Sequence, residues 1–484
     1  MKLLFLLVLL LAGCSVRPAT PLVDLKSGKP SAILNLPWFD YRRDFGKPAA
    51  WEYKGVASRR EEVGRRFAEL HDAGVQGVVW FLLADGGGAI QFDSDGGIIG
   101  LAPSFLADFK AGLTIAEQNH LAVIWVLLDH PWMKPAEFSG GAQLFGHARL
   151  IEDAVEQKAF YERVLDPISA VGSASAATAG WIVMNEPEVA LGEGWVSEER
   201  LFPFLVAAAS RIKATHPSSL ISIGHTDFEA MVYFQSQHPA ALDFLTFHHY
   251  RDYFPAAKPK VEVPVYVGEF NVTDAKLGRM PADLKSAVAS ARALGYAGAW
   301  PWGLNEMSQI KEFVAAQTTA VPKGMGQGPP ARQIEAWKHE IKTHRSHIEL
   351  NAQKLRDTQQ LLATLAAELA RQAGETSRAQ AAFDQLRKSL AESRAKIGRM
   401  KWMPWAGESL RLEEANEKQL TGRMDAPKGP RQWLREASEV QKKTALEITT
   451  QQAWITKYEM HIRGNQYQMK AKQRSIGLSA AFLP

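Results

Sequence analysis

The sequence predicts an α/β chain: a (β/α)8 barrel of the TIM type followed by a long α-helical coiled-coil hairpin. Three observations carry this. Short apolar runs alternate with amphipathic stretches at a steady rhythm up to about residue 310. A Pro- and Gly-rich stretch at 318–330 then breaks the pattern. Beyond it a seven-residue apolar series takes over. Of the 484 residues, 46% are hydrophobic and 22% charged, which excludes wholesale disorder and a polytopic membrane protein.

The expected strands, in order, are Ala32–Leu36, Gly77–Leu83, Ala122–Leu128, Gly180–Met184, Leu220–Ile223, Phe244–Phe247, Val263–Val267 and Gly298–Trp300. Each is an apolar run bounded by turn residues. Between them Ser58–Ala73, Pro103–Asn119, Leu150–Val164, Glu198–Thr215 and Pro281–Leu294 carry apolar residues at helical spacing. Eight strand–helix units within 31–317 are what a closed parallel barrel needs.

After the linker 318–330, the segment 331–484 is expected to be helical. Ile334, Ile341, Ile348, Leu355, Leu362, Leu369, Thr376, Phe383, Leu390 and Ile397 form one heptad seam with a single polar member. A turn at Trp402–Gly407 precedes a second stretch, about 431–463, in which Leu434, Ile448, Ile455, Ile462 and Met469 recur at multiples of seven with Gln441 in the gap. An antiparallel hairpin follows, closed on itself, by self-association or by a protein partner. The charge is uneven: 331–484 holds 27 Lys and Arg against 17 Asp and Glu, so the remainder is acidic although the whole carries +4. The basic character is that of a solvated helical face, and nucleic-acid binding is not expected.

Cys14 is the sole cysteine. It follows Lys2, an apolar run from Leu3 to Ala12, and the sequence Leu11-Ala12-Gly13-Cys14. The run is too short for a bilayer core of about 30 Å, which needs about 20 residues, so it reads as a cleaved secretory signal, with 1–14 comprising the signal peptide and the site that ends in Cys14. This segment resembles a bacterial lipoprotein signal with its lipobox. The resemblance implies a diacylglycerol on Cys14, a linker at 15–30, and a membrane-anchored protein of the cell envelope. Ser15, in place of Asp, implies the outer membrane.

In a barrel of this kind the polar residues that end each strand form the active site. The fourth run, Trp181–Met184, leads into Asn185-Glu186-Pro187, and the seventh, Val263–Val267, into Gly268-Glu269-Phe270. These strands face each other, so Glu186 and Glu269 would stand about 5–5.5 Å apart, the spacing of a retaining glycosidase. Mutual repulsion would leave Glu186 protonated and Glu269 ionised. Adjacent His248 and His249 point to opposite faces of a strand and lack a third ligand at useful spacing, so neither metal nor other cofactor is expected.

These motifs resemble clan A of the glycoside hydrolases, in particular the cellulase- and mannanase-like family 5, over about residues 31–310. The resemblance implies that Glu186 is the general acid/base, Glu269 the nucleophile, and Asn185 a ligand of the sugar 2-hydroxyl. His248-His249-Tyr250 matches the family's His-x-Tyr, with Tyr250 or His248 bonded to the nucleophile, and Trp302 matches its aromatic platform. Trp38, Asp129, His130 and His225, each following an apolar run, would complete the sugar-binding rim. One position departs: Val79 stands where the family commonly has an Arg beside the nucleophile, which would raise the pKa of Glu269. The expected function is endo-acting retaining hydrolysis of a β-linked polysaccharide, of β-glucan or β-mannan type or a self-made exopolysaccharide. The alternative is a non-catalytic glycan-binding or scaffolding lipoprotein.

Overall fold

The computed structural model describes residues 22–29, 31–251, 258–259, 261–272, 283–317, 331–401, 407–426 and 429–482. Cys14, the signal segment 1–14, the linker 318–330 and most of the turn after residue 401 lie outside the described residues. The chain forms two compact units, residues 1–346 with 463–484, and residues 347–462.

In the first unit eight parallel strands make one sheet in sequence order: β1 (Ile33–Asn35), β2 (Gly77–Phe81), β3 (Ala122–Asp129), β4 (Thr178–Asn185), β5 (Ile221–His225), β6 (Leu245–His249), β7 (Val265–Phe270) and β8 (Gly298–Pro301). All eight expected strands are present, with ends shifted by up to three residues. Outside them lie α1 (Arg60–Asp72), α2 (Phe105–Gln118), α3 (Ala154–Gly172, with a π turn at Tyr161–Leu165), α4 (Pro187–Gly192), α5 (Glu198–Thr215), α6 (Phe228–Gln237), α7 (Leu284–Ala293) and α8 (Met307–Ala316). The helix expected over Leu150–Val164 is broken at Asp153. This residue is extended, and its carboxylate accepts from Val155 N to cap the start of α3.

Strand alternation sorts the apolar residues into two layers. Val78, Trp80, Val123, Trp125, Phe247 and Val267 face the helices. Ile33, Val79, Phe81, Ile124, Ile182, Tyr266 and Trp300 fill the interior, with Leu25 and Phe244 among them. Leu25 is 1% exposed, and Tyr266 donates to its carbonyl at 2.8 Å. Val23 and Leu25, in the segment expected as linker, thus pack into the barrel, because its interior needs apolar volume that the short first strand does not supply.

Among the described residues no backbone ladder joins β8 to β1. Asn35, the buried last residue of β1, takes that place: its Nδ2 donates to the carbonyls of Gly268 at 3.0 Å, Trp300 at 3.3 Å and Pro301 at 3.4 Å. The loop after β1 is held by a buried acid. Asp44 accepts from Phe39 N at 2.7 Å, Asp40 N at 2.9 Å, Trp80 Nε1 at 3.1 Å and Arg59 at 2.8 Å.

The helical segment comprises α9 (Ala331–Met400), α10 (Gly407–Asp425) and α11 (Pro430–Phe482). α10 is an additional helix beyond the two expected. In the second unit its Leu420 and Met424 bury against Leu390, with Phe383 and Leu386 alongside, and Arg394 pairs with Glu417 at 2.8 Å. The two polar members of the heptad series meet each other, Gln441 Nε2 donating to Thr376 Oγ1 at 2.7 Å. Each thereby satisfies a group that an apolar seam would leave unpaired. Among the described residues no helix is long and apolar enough to cross a membrane.

Replacing Asn35 by Ala removes the donor shared by two carbonyls of β8 and one of β7. The expected cost is about 2 kcal/mol of barrel stability, read as an earlier urea midpoint at unchanged slope.

Candidate active site

Bulges aim the two carboxylates. Along β7, Tyr266 points inward and Val267 outward, so strict alternation would turn Glu269 out. The β6–β7 register slips here, from Phe247 opposite Val267 to His248 opposite Glu269, and Gly268 is the extra residue that returns Glu269 to the inner face. Between β4 and β5 the register slips again after Ile182, so that Asn185 lies opposite Gly224. A Cβ on Gly224 would come within 2.8 Å of Asn185 Oδ1 and 3.4 Å of His248 Nε2, so the close approach requires glycine.

Glu186 follows in the left-handed region, φ 48° and ψ 51°, a conformation that costs a non-glycine residue about 1–2 kcal/mol. Its N–H donates to Gly224 O at 2.6 Å, and Pro187, which opens α4, disfavours the right-handed helical conformation for the residue before it.

One carboxylate oxygen of Glu186, one of Glu269 and a ring nitrogen of His248 all lie within 4.8 Å of one another. His248 Nδ1 is 2.8 Å from Glu186 Oε1 and 3.3 Å from Glu269 Oε2, and Tyr250 donates to Glu269 Oε2 at 2.8 Å. His130 Nδ1 approaches Glu186 Oε2 at 3.7 Å and Asp129 at 3.2 Å.

Burial raises Glu269 to about 7; His248 lowers it less, and Glu186 adds to the rise. His248 is raised to about 9: burial opposes its charge, but Glu269 and Glu186 together outweigh burial. Glu186 lies below the usual carboxylate value, because the hydrogen bond and charge of His248, helped by His130, exceed its own burial. His248 therefore holds a proton more tightly than Glu186 does, and Glu269 is the carboxyl held high. The imidazole inverts the order that repulsion between two acids alone predicts.

Of the other expected residues, Asn185 and Asp129 meet, Asn185 Nδ2 donating to Asp129 Oδ1 at 3.3 Å. Trp38 and Trp302 are half-buried at the top of the inner layer with ring centroids 6.2 Å apart, and Trp38 lies 4.8 Å from the Tyr41 ring and 5.8 Å from that of Phe81. His225 does not join them. With Gly224 facing inward, alternation sends His225 outward, where it is fully buried and its Nδ1 bonds Glu188 at 2.7 Å. Val79 is in the interior layer, 2% exposed, and His248 is the cationic group between the carboxylates.

The sequence reading missed Asn35, Glu188, and the buried Arg42–Asp85 ion pair beside Tyr41. Asn35 was accessible by the strand-end rule that found Glu186. Arg42 and Asp85 lie in loops and carry no such signal.

Glu186, His248 and Glu269 together have the donor types to take a divalent cation, but in the structure these atoms bond one another. A separate cavity of about 870 Å³, lined by Lys47, Tyr53, Gln91, Gln143, His147 and Arg149 among others, contains neither glutamate.

His248 binds its proton more tightly folded than unfolded, so its contribution to stability is complete below pH 6.5 and is lost as the pH rises through about 9. Glu269, also raised, works in the same direction between about 4.5 and 7. Stability is expected to fall on the order of 3 kcal/mol between pH 6.5 and 9, and His248→Asn to flatten the fall, as read by denaturant titrations across that range.

No known protein-family profile matches the chain. A mannan endo-1,4-beta-mannosidase of Mytilus edulis is 23% identical over 347 residues, spanning 61% of this chain and 90% of the relative. Among solved structures, the beta-mannanase of the same mussel is 19% identical and covers 62% of this chain and 94% of its own, at a TM-score of 0.49. The endo-1,4-beta-mannanase of Eisenia fetida is 20% identical and covers 60% and 94%, also at 0.49. The chain is thus similar in sequence to a mannanase over nearly the whole of that enzyme's length.

Proposed function

We propose that the chain is a retaining glycoside hydrolase that cleaves a β-linked polysaccharide, of β-1,4-mannan type, within the chain. The observation that carries this is the pair of carboxylate oxygens within 4.8 Å at the ends of opposite strands. That separation suits direct attack by one carboxylate; an inverting enzyme needs about 6.5–9.5 Å to admit a water. The similarity to the mussel mannosidase supports the substrate class.

In this reading Glu269 attacks the anomeric carbon while Glu186 protonates the departing oxygen. Tyr250 occupies Glu269 Oε2, so Oε1 is the attacking atom. The proton that Glu186 gives is the one shared with His248 Nδ1 across 2.8 Å. Glycosylation removes the charge of Glu269, and Glu186 then takes a proton from the water that hydrolyses the ester. Asn185 holds the sugar 2-hydroxyl, with Asp129 and His130 beside it. Trp38 and Trp302 offer stacking faces.

Val79 favours the second reading, a glycan-binding scaffold without turnover. Reducing-end release from β-mannan, β-glucan and xylan decides between them. The expected outcome is release from mannan with retained anomeric configuration by proton NMR, reduced about 10³-fold or more in both Glu269→Gln and Glu186→Gln. Binding without release by the wild type establishes the scaffold instead.

We further propose that the residues before Cys14 are removed and that Cys14, then the first residue, carries the lipid that tethers the enzyme to the cell envelope, in the outer membrane. Metabolic labelling with a fatty acid is expected to mark the wild type and to be lost in Cys14→Ala. The helical hairpin is proposed as a surface for self-association or a protein partner.

A further inference from the structure

We infer that the two ends of the helical segment are positioning elements of the catalytic site, holding the loops that carry Glu186 and Tyr250; this rests on the hydrolase reading above. Residues 331–346 and 463–477 belong to the same compact unit as the barrel. On one side, Arg463 Nε in α11 donates to Gly194 O at 2.8 Å, just beyond α4. Gly464 makes the approach backbone to backbone, since a Cβ there would lie 2.5 Å from Gly192 O and 2.8 Å from Gly194 N.

One turn further on, Tyr467 and Gln468 face Glu188 and Asp227 across a cavity of about 210 Å³. Arg474 lies 3.8 Å over the Tyr233 ring and 3.7 Å from Glu198. Glu188, two residues after Glu186, is itself fixed by His225 and by Thr226 N at 3.1 Å.

On the other side, Trp337 of α9 is 1% exposed and lies 5.6 Å beneath the Arg251 guanidinium. Arg251 follows Tyr250 directly and bonds Asp227 at 2.9 Å and Glu229 at 3.1 Å. The two ends are tied to each other by Lys472–Glu340 at 3.1 Å and by His344 Nδ1 with Asn465 Oδ1 at 2.9 Å.

The reason for this scaffold is the backbone of Glu186. A left-handed glutamate at the start of a six-residue helix is strained, and so short a helix has little stability of its own. Such a conformation persists only where its surroundings over-determine it. Here α11 closes the far end of α4, and α9 braces the residue after Tyr250, so both carboxylates are supported by chain distant in sequence.

The test uses the full chain with Gly464→Leu, Arg463→Ala, Arg463→Lys and Trp337→Ala. Two readouts are taken: kcat and KM on soluble mannan across pH, and amide hydrogen exchange of peptides covering 186–194 and 245–251. Gly464→Leu and Arg463→Ala are expected to lower kcat about 10- to 100-fold with KM within about twofold, to move a flank of the kcat–pH profile, and to speed exchange in 186–194. Trp337→Ala is expected to do the same with exchange in 245–251, and Arg463→Lys to recover most of the loss.

Unchanged exchange, or faster exchange with kcat and its pH profile unchanged, overturns the inference. Should Gly464→Leu not fold, Arg463→Ala carries the decision. A wild type that releases no sugar defeats the hydrolase reading instead, and exchange protection alone then decides whether the helices hold the loops.

Discussion

Two carboxylates within 4.8 Å of each other at a buried barrel mouth repel strongly, since little solvent separates them and the local dielectric is low. The structure meets this with one imidazole placed within 3.3 Å of both, on a strand whose neighbour has slipped its register to admit it. The bulge at Gly268, the glycine opposite Asn185, the left-handed turn at Glu186 and the tyrosine on Glu269 all serve that arrangement. Val79 on the second strand is apolar and buried, and the cationic group between the carboxylates comes from the sixth.

Much of the fold was legible because the barrel repeats one rule eight times: an apolar run, a polar end, a helix. The same rule located Glu186, Glu269, Asn185, Asp129 and the His248–Tyr250 motif. It failed where parity changed. His225 was assigned to the rim because it ends an apolar run, but the inward position belongs to Gly224, because the register shift between β4 and β5 decides which of two adjacent residues the sheet turns inward. The protonation order was misjudged for a related reason. Two acids considered alone repel and split their pKa values; the position of His248 between them becomes visible only with the register shift in place.

The helical segment was read as a separate appendage because its period differs from that of the barrel and a Pro–Gly stretch precedes it. Period reports which elements supercoil, but it carries no information on what their ends touch. Trp337, Arg463 and Tyr467 look in sequence like ordinary members of a helix. In the fold, Trp337 is a fully buried side chain beneath Arg251, and Tyr467 is half-buried against the core of the barrel unit.

The seam closed by Asn35 makes the barrel a rolled sheet with an edge. A ladder distributes its hydrogen bonds over a strand, whereas a single amide shared by three carbonyls lets go all at once. The first cooperative opening of the barrel, short of global unfolding, is therefore expected to run along β1 and β8. One of the three carbonyls belongs to Gly268, so the same event releases the bulge that turns Glu269 inward. Loss of the active geometry and the onset of unfolding then share one molecular step, and heat inactivation should precede the main thermal transition.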